Sequence, residues 1–473
     1  MSTPTHNLAD CTATELVQLY RTGQASPVEA TRAVLARIDD IDGELNAFCL
    51  VDAERALASA KASEARWRDR APLDLLDGVP VSIKDLILTR GWPTLRGSRT
   101  IDPKQAWDID APATARLREA GAVLIGKTNT PEFGIKGTTD NPLTGITRNP
   151  WNTQMTPGGS SGGAAAAVAS GMGPVAVGTD GAGSIRIPST FCGIPGLKAS
   201  FGRVPAYPLS PFGTVAHIGP HARSVEDLAL MLTVLSRPDT RDWTSLPYDP
   251  RDYRVGLADG VRGLKVAFSP DLGYVKNVDP EVAAAVRAAA VAFETLGAHV
   301  DEVAPGFANP EEITTKLWFV GSATIVGSLS ADQVALTDPA LRWQAELGRR
   351  VSVPELQQLA ARRTELGSLM RQFHQRYDLL LTPGLSIPAF EAKGPEQWEL
   401  SLERFLGWTP FSYPFNLTQQ PAAVVPCGLT RAGLPVSLQI VGPMHADALV
   451  LRAARAYEST RDWKLPVVPR CEP

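Results

Sequence analysis

Two glycine-rich segments, GGSSGG at 158–163 and GTDGAGS at 178–184, hold the serines Ser160, Ser161 and Ser184. A serine becomes a nucleophile only when a neighbouring base takes its proton. Gly159-Ser160-Ser161-Gly162-Gly163 fits G-x-S-x-G, the nucleophile elbow, with Ser161 at its centre. That motif requires a strand before it and an acid and a histidine after it. The preceding residues, TRNPWNTQMTP at 147–157, are turn-rich, and His217, His221, His299, His374 and His445 sit in no suggestive setting. Ser161 reads instead as the N-cap of an Ala-rich helix over 164–170, or as a loop anchor.

The second segment is more informative. An apolar strand over 175–178 runs into Asp180, then Gly181, Ala182 and Gly183, then Ser184. Small residues let a backbone turn tightly and approach a ligand. Consecutive amides there form a nest suited to phosphate or to an oxyanion. Taken alone, a plain glycine-rich turn is the simpler reading. A third motif, GAVLIGKT at 121–128, fits the P-loop pattern but puts Ala-Val-Leu-Ile where the phosphate cradle belongs, so it reads as a core strand.

These residues need elements to hold them. In GVPVSIK, at 78–84, Val79, Val81 and Ile83 alternate with Pro80, Ser82 and Lys84, which is a strand pattern. Helices are expected within 13–41, one of them starting at Ser26-Pro27, and over 53–67, 114–120, 280–296 and 446–457. Further strands are expected at 122–125, 264–268, 379–381, 422–425 and 436–441. Strands mixed with helices throughout predict an α/β layered fold.

The bulk composition narrows the function. The chain has 473 residues and a net charge of −4, with no basic stripe, so nucleic-acid binding has no electrostatic support. No apolar run is long enough to cross a membrane, and the first residues lack the pattern of a signal peptide. Five scattered cysteines without a C-x-x-C pair fit reduced thiols, hence a cytoplasmic location. His217 and His221 are separated by Gly219-Pro220, which no helix spans, so no metal site is expected.

GVPVSIKD (78–85), PGGSSGG (157–163) and GTDGAGSIRIPSTFCGIPGLKASFGRVP (178–205), taken together, resemble the amidase signature family. So do GAVLIGKTNTPEFG (121–134), TRNPW (147–151), NLTQQPAAVVPCG (416–428) and GLPVSLQIVGP (433–443). The resemblance is strong over about 74–225 and 377–457. It implies one amidase domain over residues 1–473, with a central mixed β-sheet covered by helices on both faces. The signature core would be about 74–225. A variable, substrate-facing region would span about 300–420, least patterned at 300–375.

The resemblance also implies a Ser–Ser–Lys triad with no cofactor and no metal: Lys84 the base, Ser160 the bridge after a cis Gly159–Ser160 peptide, and Ser184 the nucleophile. A lysine near its ordinary pKa of about 10.4 is protonated at neutral pH and cannot act as a base; burial lowers that value. The backbone amides of Gly181, Ala182, Gly183 and Ser184 would then hold the oxyanion, with Asp180 and Arg186 fixing the loop. Family members usually carry glycine where Ala182 stands.

Two activities are expected from that core. One is an amidase acting on small apolar or aryl amides, with carbamates (urethanes) and esters as further candidates, working as a monomer or homodimer. The alternative is the glutaminase (A-type) subunit of a tRNA-dependent amidotransferase. That family holds the glutamine amino group with an acidic residue, and the corresponding stretch here, Thr409-Pro-Phe-Ser-Tyr-Pro-Phe-Asn416, has none. Trp398, Phe405, Trp408, Phe411, Tyr413 and Phe415 surround it and favour an aromatic substrate, unless they are simply core.

Overall fold

A computed structural model describes residues 7–468. The first six residues and Cys471 lie outside the described residues; Cys11, Cys49, Cys192 and Cys427 are free thiols. The strands are β1 (Phe48–Val51), β2 (Pro80–Lys84), β3 (Val123–Thr128), β4 (Asp140–Asn141), β5 (Gly145–Ile146), β6 (Val175–Asp180) and β7 (Gly196–Lys198). They continue with β8 (His217–Ala222), β9 (Lys265–Phe268), β10 (His299–Glu302), β11 (Leu379–Pro383), β12 (Ala422–Leu429) and β13 (Pro435–Val441). Eleven of them form one sheet in the order β1-β3-β2-β6-β8-β7-β12-β13-β11-β9-β10, and β4 and β5 form a separate ladder.

The sheet is mixed, as expected. β2 runs parallel to both β3 and β6, while β6 runs antiparallel to β8. On one face the helices Val225–Leu235, Pro280–Thr295 and Asp447–Glu458 pack against Val81, Ile83, Val177, Leu438 and Ile440. On the other face the helices Pro27–Leu45 and Gly162–Ala169 pack against Val123, Ile125 and Ala176. The helix Pro27–Leu45 starts with Pro27 after a Ser26/Glu29 capping box, a cap that typically contributes about 1 kcal/mol. No helix among the described residues is long and apolar enough to cross a membrane.

The alternation read in GVPVSIK is real: Val79, Val81 and Ile83 enter one apolar cluster. Because β2 lies between two parallel neighbours, Lys84 at its carboxyl end is fully buried. Asp180 ends the adjacent parallel strand β6. Sites in open α/β sheets form at such carboxyl edges. All but the first two residues of the P-loop look-alike lie in β3, which runs through Lys127 and Thr128. Lys127 Nζ donates to the Ile87 carbonyl at 2.7 Å and Thr94 Oγ1 at 2.8 Å, so it is a buried structural cation.

Two parts of the fold differ from the sequence pattern. Residues 300–375 are largely helical, in Glu311–Gly327, Pro339–Gly348 and Val353–Phe373. Strand β8 contains Gly219 and Pro220, which read as breakers. A Cβ at Gly219 would fall 2.3 Å from the Leu197 carbonyl, so glycine permits the close approach to β7. β8 meets β7 through the single pair Gly196↔His221, so most of that edge carries no ladder and a residue without an amide hydrogen is tolerated.

Candidate active site

Lys84 Nζ has three hydroxyl neighbours: Ser160 Oγ at 2.7 Å, Ser161 Oγ at 2.9 Å and Thr179 Oγ1 at 2.9 Å. No carboxylate pairs with it among the described residues. Burial pushes its pKa well below the ordinary lysine value of 10.5, and the more distant Asp180 opposes this only in part. The helix Gly162–Ala169 starts beside it, and the positive end of that helix dipole also disfavours an ammonium. In its neutral form the amine has two N–H groups and one lone pair. Ser161 Oγ gives its hydrogen to the Thr179 carbonyl at 3.1 Å, so it accepts from Lys84. With Thr179 taking the second N–H, the lone pair is left for the Ser160 hydroxyl.

Ser161 therefore corrects one expectation. It occupies the N-cap position of the helix Gly162–Ala169, but its side chain makes no capping hydrogen bond. Its hydroxyl turns to Lys84 and Thr179 instead. Thr179, a direct neighbour of the lysine, was not singled out from the sequence; one threonine before Asp180 carries no signal of its own. A Cβ at Gly178 would fall 2.8 Å from Ser161 Oγ and 2.5 Å from His221 Nε2, so only glycine fits there. The Gly159–Ser160 peptide is cis.

Asp180 holds the next loop. Its carboxylate accepts Arg186 Nε at 3.0 Å and Arg186 Nη2 at 3.0 Å. It also accepts the amides of Gly183 at 2.7 Å and Ile185 at 3.2 Å, and Asn416 Nδ2 at 2.8 Å. Burial alone would raise its pKa, but the Arg186 guanidinium and these donors overcome it and hold the carboxyl below its usual range. Arg186, also fully buried, donates on to the Ser412 carbonyl and Gln439 Oε1, both at 2.8 Å. Removing one partner of such a pair leaves the other charge buried and costs about 3–5 kcal/mol. Asp180→Ala is expected to lower the thermal midpoint of unfolding by several degrees, measured by calorimetry; an unchanged midpoint would contradict this anchoring role.

The amides of this loop are not equivalent. The Gly183 N–H is engaged by Asp180, at a φ of 130° that favours glycine. The amides of Gly181, Ala182 and Ser184 have no protein acceptor among the described residues. Of the four amides expected to hold an oxyanion, one is thus engaged by Asp180 and three have no protein acceptor among the described residues. Ala182 keeps its carbonyl engaged with Ser412 Oγ at 2.7 Å.

Ser160 and Ser184 both line a cavity of about 830 Å³, within the range of small-molecule sites. No hydrogen bond joins their hydroxyls among the described residues. Catalytic hydrogen bonds often tighten only when substrate is bound. Phe212 and Trp318 stack in the cavity with centroids 3.8 Å apart. Trp318 lies on the helix Glu311–Gly327 and covers the Gly181 backbone, where a Cβ would meet its ring at 2.7 Å. Neither ring stood out in the sequence, because their contact spans 106 positions of chain. Of the aromatic group around 398–415, Phe411, Tyr413 and Phe415 are fully buried core. Trp398, Phe405 and Trp408 line a second cavity of about 340 Å³.

Chemically, these residues combine a buried amine with a lowered pKa, a serine hydroxyl in contact with it, a second serine in the same cavity and an adjacent set of amides without protein acceptors among the described residues. That is the equipment of a serine hydrolase working without histidine. The Amidase family model matches residues 29–451. The chain belongs to the amidase signature family and is an amide-hydrolysing enzyme. It is 39% identical over 464 residues to an acylamidase of Rhodococcus erythropolis, covering 97% of each chain. It is 38% identical over 488 residues to the A-type subunit of the glutamyl-tRNA(Gln) amidotransferase of Myxococcus xanthus (strain DK1622), covering 96% of this chain and 98% of that one. Among solved structures, a bacterial aryl acylamidase of the amidase signature family matches at 33% identity and a TM-score of 0.88, covering 96% of each chain.

Proposed function

We propose that the protein hydrolyses small apolar or aryl amides through an acyl-enzyme on Ser184. The observation that carries this reading is Lys84, fully buried among three hydroxyls with no counter-carboxylate among the described residues. Neutral Lys84 takes the Ser160 proton as Ser160 takes the Ser184 proton. The Ser184 alkoxide attacks the amide carbonyl, and the carbonyl oxygen, now an anion, moves into the amides of Gly181, Ala182 and Ser184. Each such donor typically contributes about 3 kcal/mol to the barrier reduction. The leaving nitrogen takes the relayed proton as the C–N bond breaks. Water, losing a proton to the same relay, then cleaves the ester and restores Ser184.

The glutaminase reading shares this machinery, and the two relatives differ by one percentage point of identity. The segment 409–416 favours the free amidase, since it contains no acid to hold an ammonium group. The stacked Phe212 and Trp318 in the cavity support an aryl substrate as well. A panel of an anilide, an aliphatic amide, an aryl carbamate, an aryl ester and glutamine tests the choice. The anilide is expected to be cleaved by the purified chain, with kcat/KM exceeding that for glutamine by at least about tenfold, a difference of about 1.4 kcal/mol. Ammonia release from glutamine with no anilide turnover would overturn it.

A further inference from the structure

Among the described residues, the charged side chains lining the large cavity are Arg96, Asp108 and Asp242, and Asp108 is exposed to solvent. Asp242 accepts the Ala206 amide at 2.8 Å and the Thr244 hydroxyl at 2.6 Å. Lys84 is buried among hydroxyls. Arg96 is different. It lines the cavity, yet its side chain has no hydrogen-bond or ion-pair partner among the described residues.

The backbone of Arg96 is firmly held. Its carbonyl accepts the Phe133 amide at 2.8 Å. Its amide and that of Gly97 face the carboxylate of Asp85, the residue after Lys84. The charge of Asp85 acts on Arg96, but Lys127 Nζ, 3.5 Å from Asp85, already balances it. Gly134, next to Phe133, abuts Ser160, since a Cβ there would lie 3.4 Å from Ser160 Oγ. Arg96 therefore sits on the wall of the cavity that also carries the bridging serine.

A guanidinium in a partly desolvated, largely aromatic and aliphatic cavity is costly without a counter-anion. Its planar donor fork matches a carboxylate in two parallel hydrogen bonds. We propose that Arg96 is the anchor for a carboxylate borne by the substrate, which is an amphipathic amide with an apolar or aryl body and one carboxylate. This rests on the amidase reading above and adds the substrate class. The carboxylate is carried on either the acyl or the amine side of the scissile bond.

Matched pairs separate these two sources. Glutaranilic acid against pentananilide tests the acyl side, and 4-acetamidobenzoate against acetanilide tests the amine side. The wild type is expected to favour the charged member of one pair by about tenfold or more in kcat/KM. In Arg96→Gln that charged-to-neutral ratio is expected to fall at least about tenfold, and Arg96→Lys should restore part of it. Wild-type ratios near one in both pairs, or a ratio unchanged in Arg96→Gln, would overturn the proposal. Turnover of the neutral anilides in the same assays reports on the amidase reading separately, so the two can fail independently.

Discussion

Ser184→Ala is expected to lower kcat on an anilide by at least about 10⁴-fold, with KM changed far less. In the proposed mechanism the variant loses the atom that forms the covalent bond, while the cavity, the loop amides and the Asp180–Arg186 anchor remain. Losses of this size follow when a nucleophile is removed from a set of residues that act as a unit. For the same reason the effects should not add. Ser160→Ala would break the proposed relay between Lys84 and Ser184, and the double variant Ser160→Ala/Ser184→Ala should be no slower than Ser184→Ala alone. Single-turnover and steady-state kinetics on the three variants measure this. Ser184→Ala retaining kcat within tenfold of the parent would remove it from the chemistry.

The second large effect concerns Lys84, and its sign follows from burial. The folded enzyme holds Lys84 well below the ordinary lysine value of 10.5, whereas the unfolded chain restores that value. The proposed mechanism needs the neutral form, so kcat/KM should rise with pH through the lowered folded pKa and then level off. Lys84→Met is expected to lose at least about 10³-fold at neutral pH and to lose that acid limb with it. Stability carries the same signature. Between the folded and unfolded pKa values the unfolded state binds one more proton, so stability rises with pH across that window. Below the folded pKa the two states bind equally and the slope vanishes. Lys84→Met should lack this slope while remaining folded by circular dichroism. A parent whose stability and rate are both flat from pH 6 to 10 would refute a neutral Lys84.

Much of this site was legible in residue patterns, for local reasons. The period-two alternation of 78–84 reports a strand face, and β2 is that strand, with Lys84 at its end. The run from 175 into Asp180 reports a strand entering a tight turn, and β6 ends at Asp180. Small residues at 181–183 report a backbone that must stay close to something, and the structure puts Trp318 and Ser412 against it. Lys84 meeting Ser160 at 2.7 Å across 76 positions was legible only through the family resemblance that three motifs together carry.

What stayed hidden depended on long-range packing. Thr179 reaches Lys84 because β2 and β6 are neighbours, which no local pattern states. The Ser161 hydroxyl leaves its capping position because a buried amine competes for it. The Gly183 amide is taken by Asp180 through a turn whose φ only coordinates reveal. Arg96 looks like a routine surface arginine in sequence. Its unpaired state emerges only once Asp85 is seen to be balanced by Lys127. The aromatic residues of 398–415 illustrate the limit most directly: one part fills the core and the other lines a cavity, and composition is the same for both.

The most direct test of the account is to find which oxygen becomes covalently modified. The purified protein would be treated with a fluorophosphonate, digested, and mapped by tandem mass spectrometry. The prediction is a single phosphonyl adduct on Ser184, formed at a rate that rises with pH along the same limb as catalysis and absent in Lys84→Met on the same timescale. An adduct on Ser160 or Ser161, or equally fast labelling of Ser184 without Lys84, would contradict it.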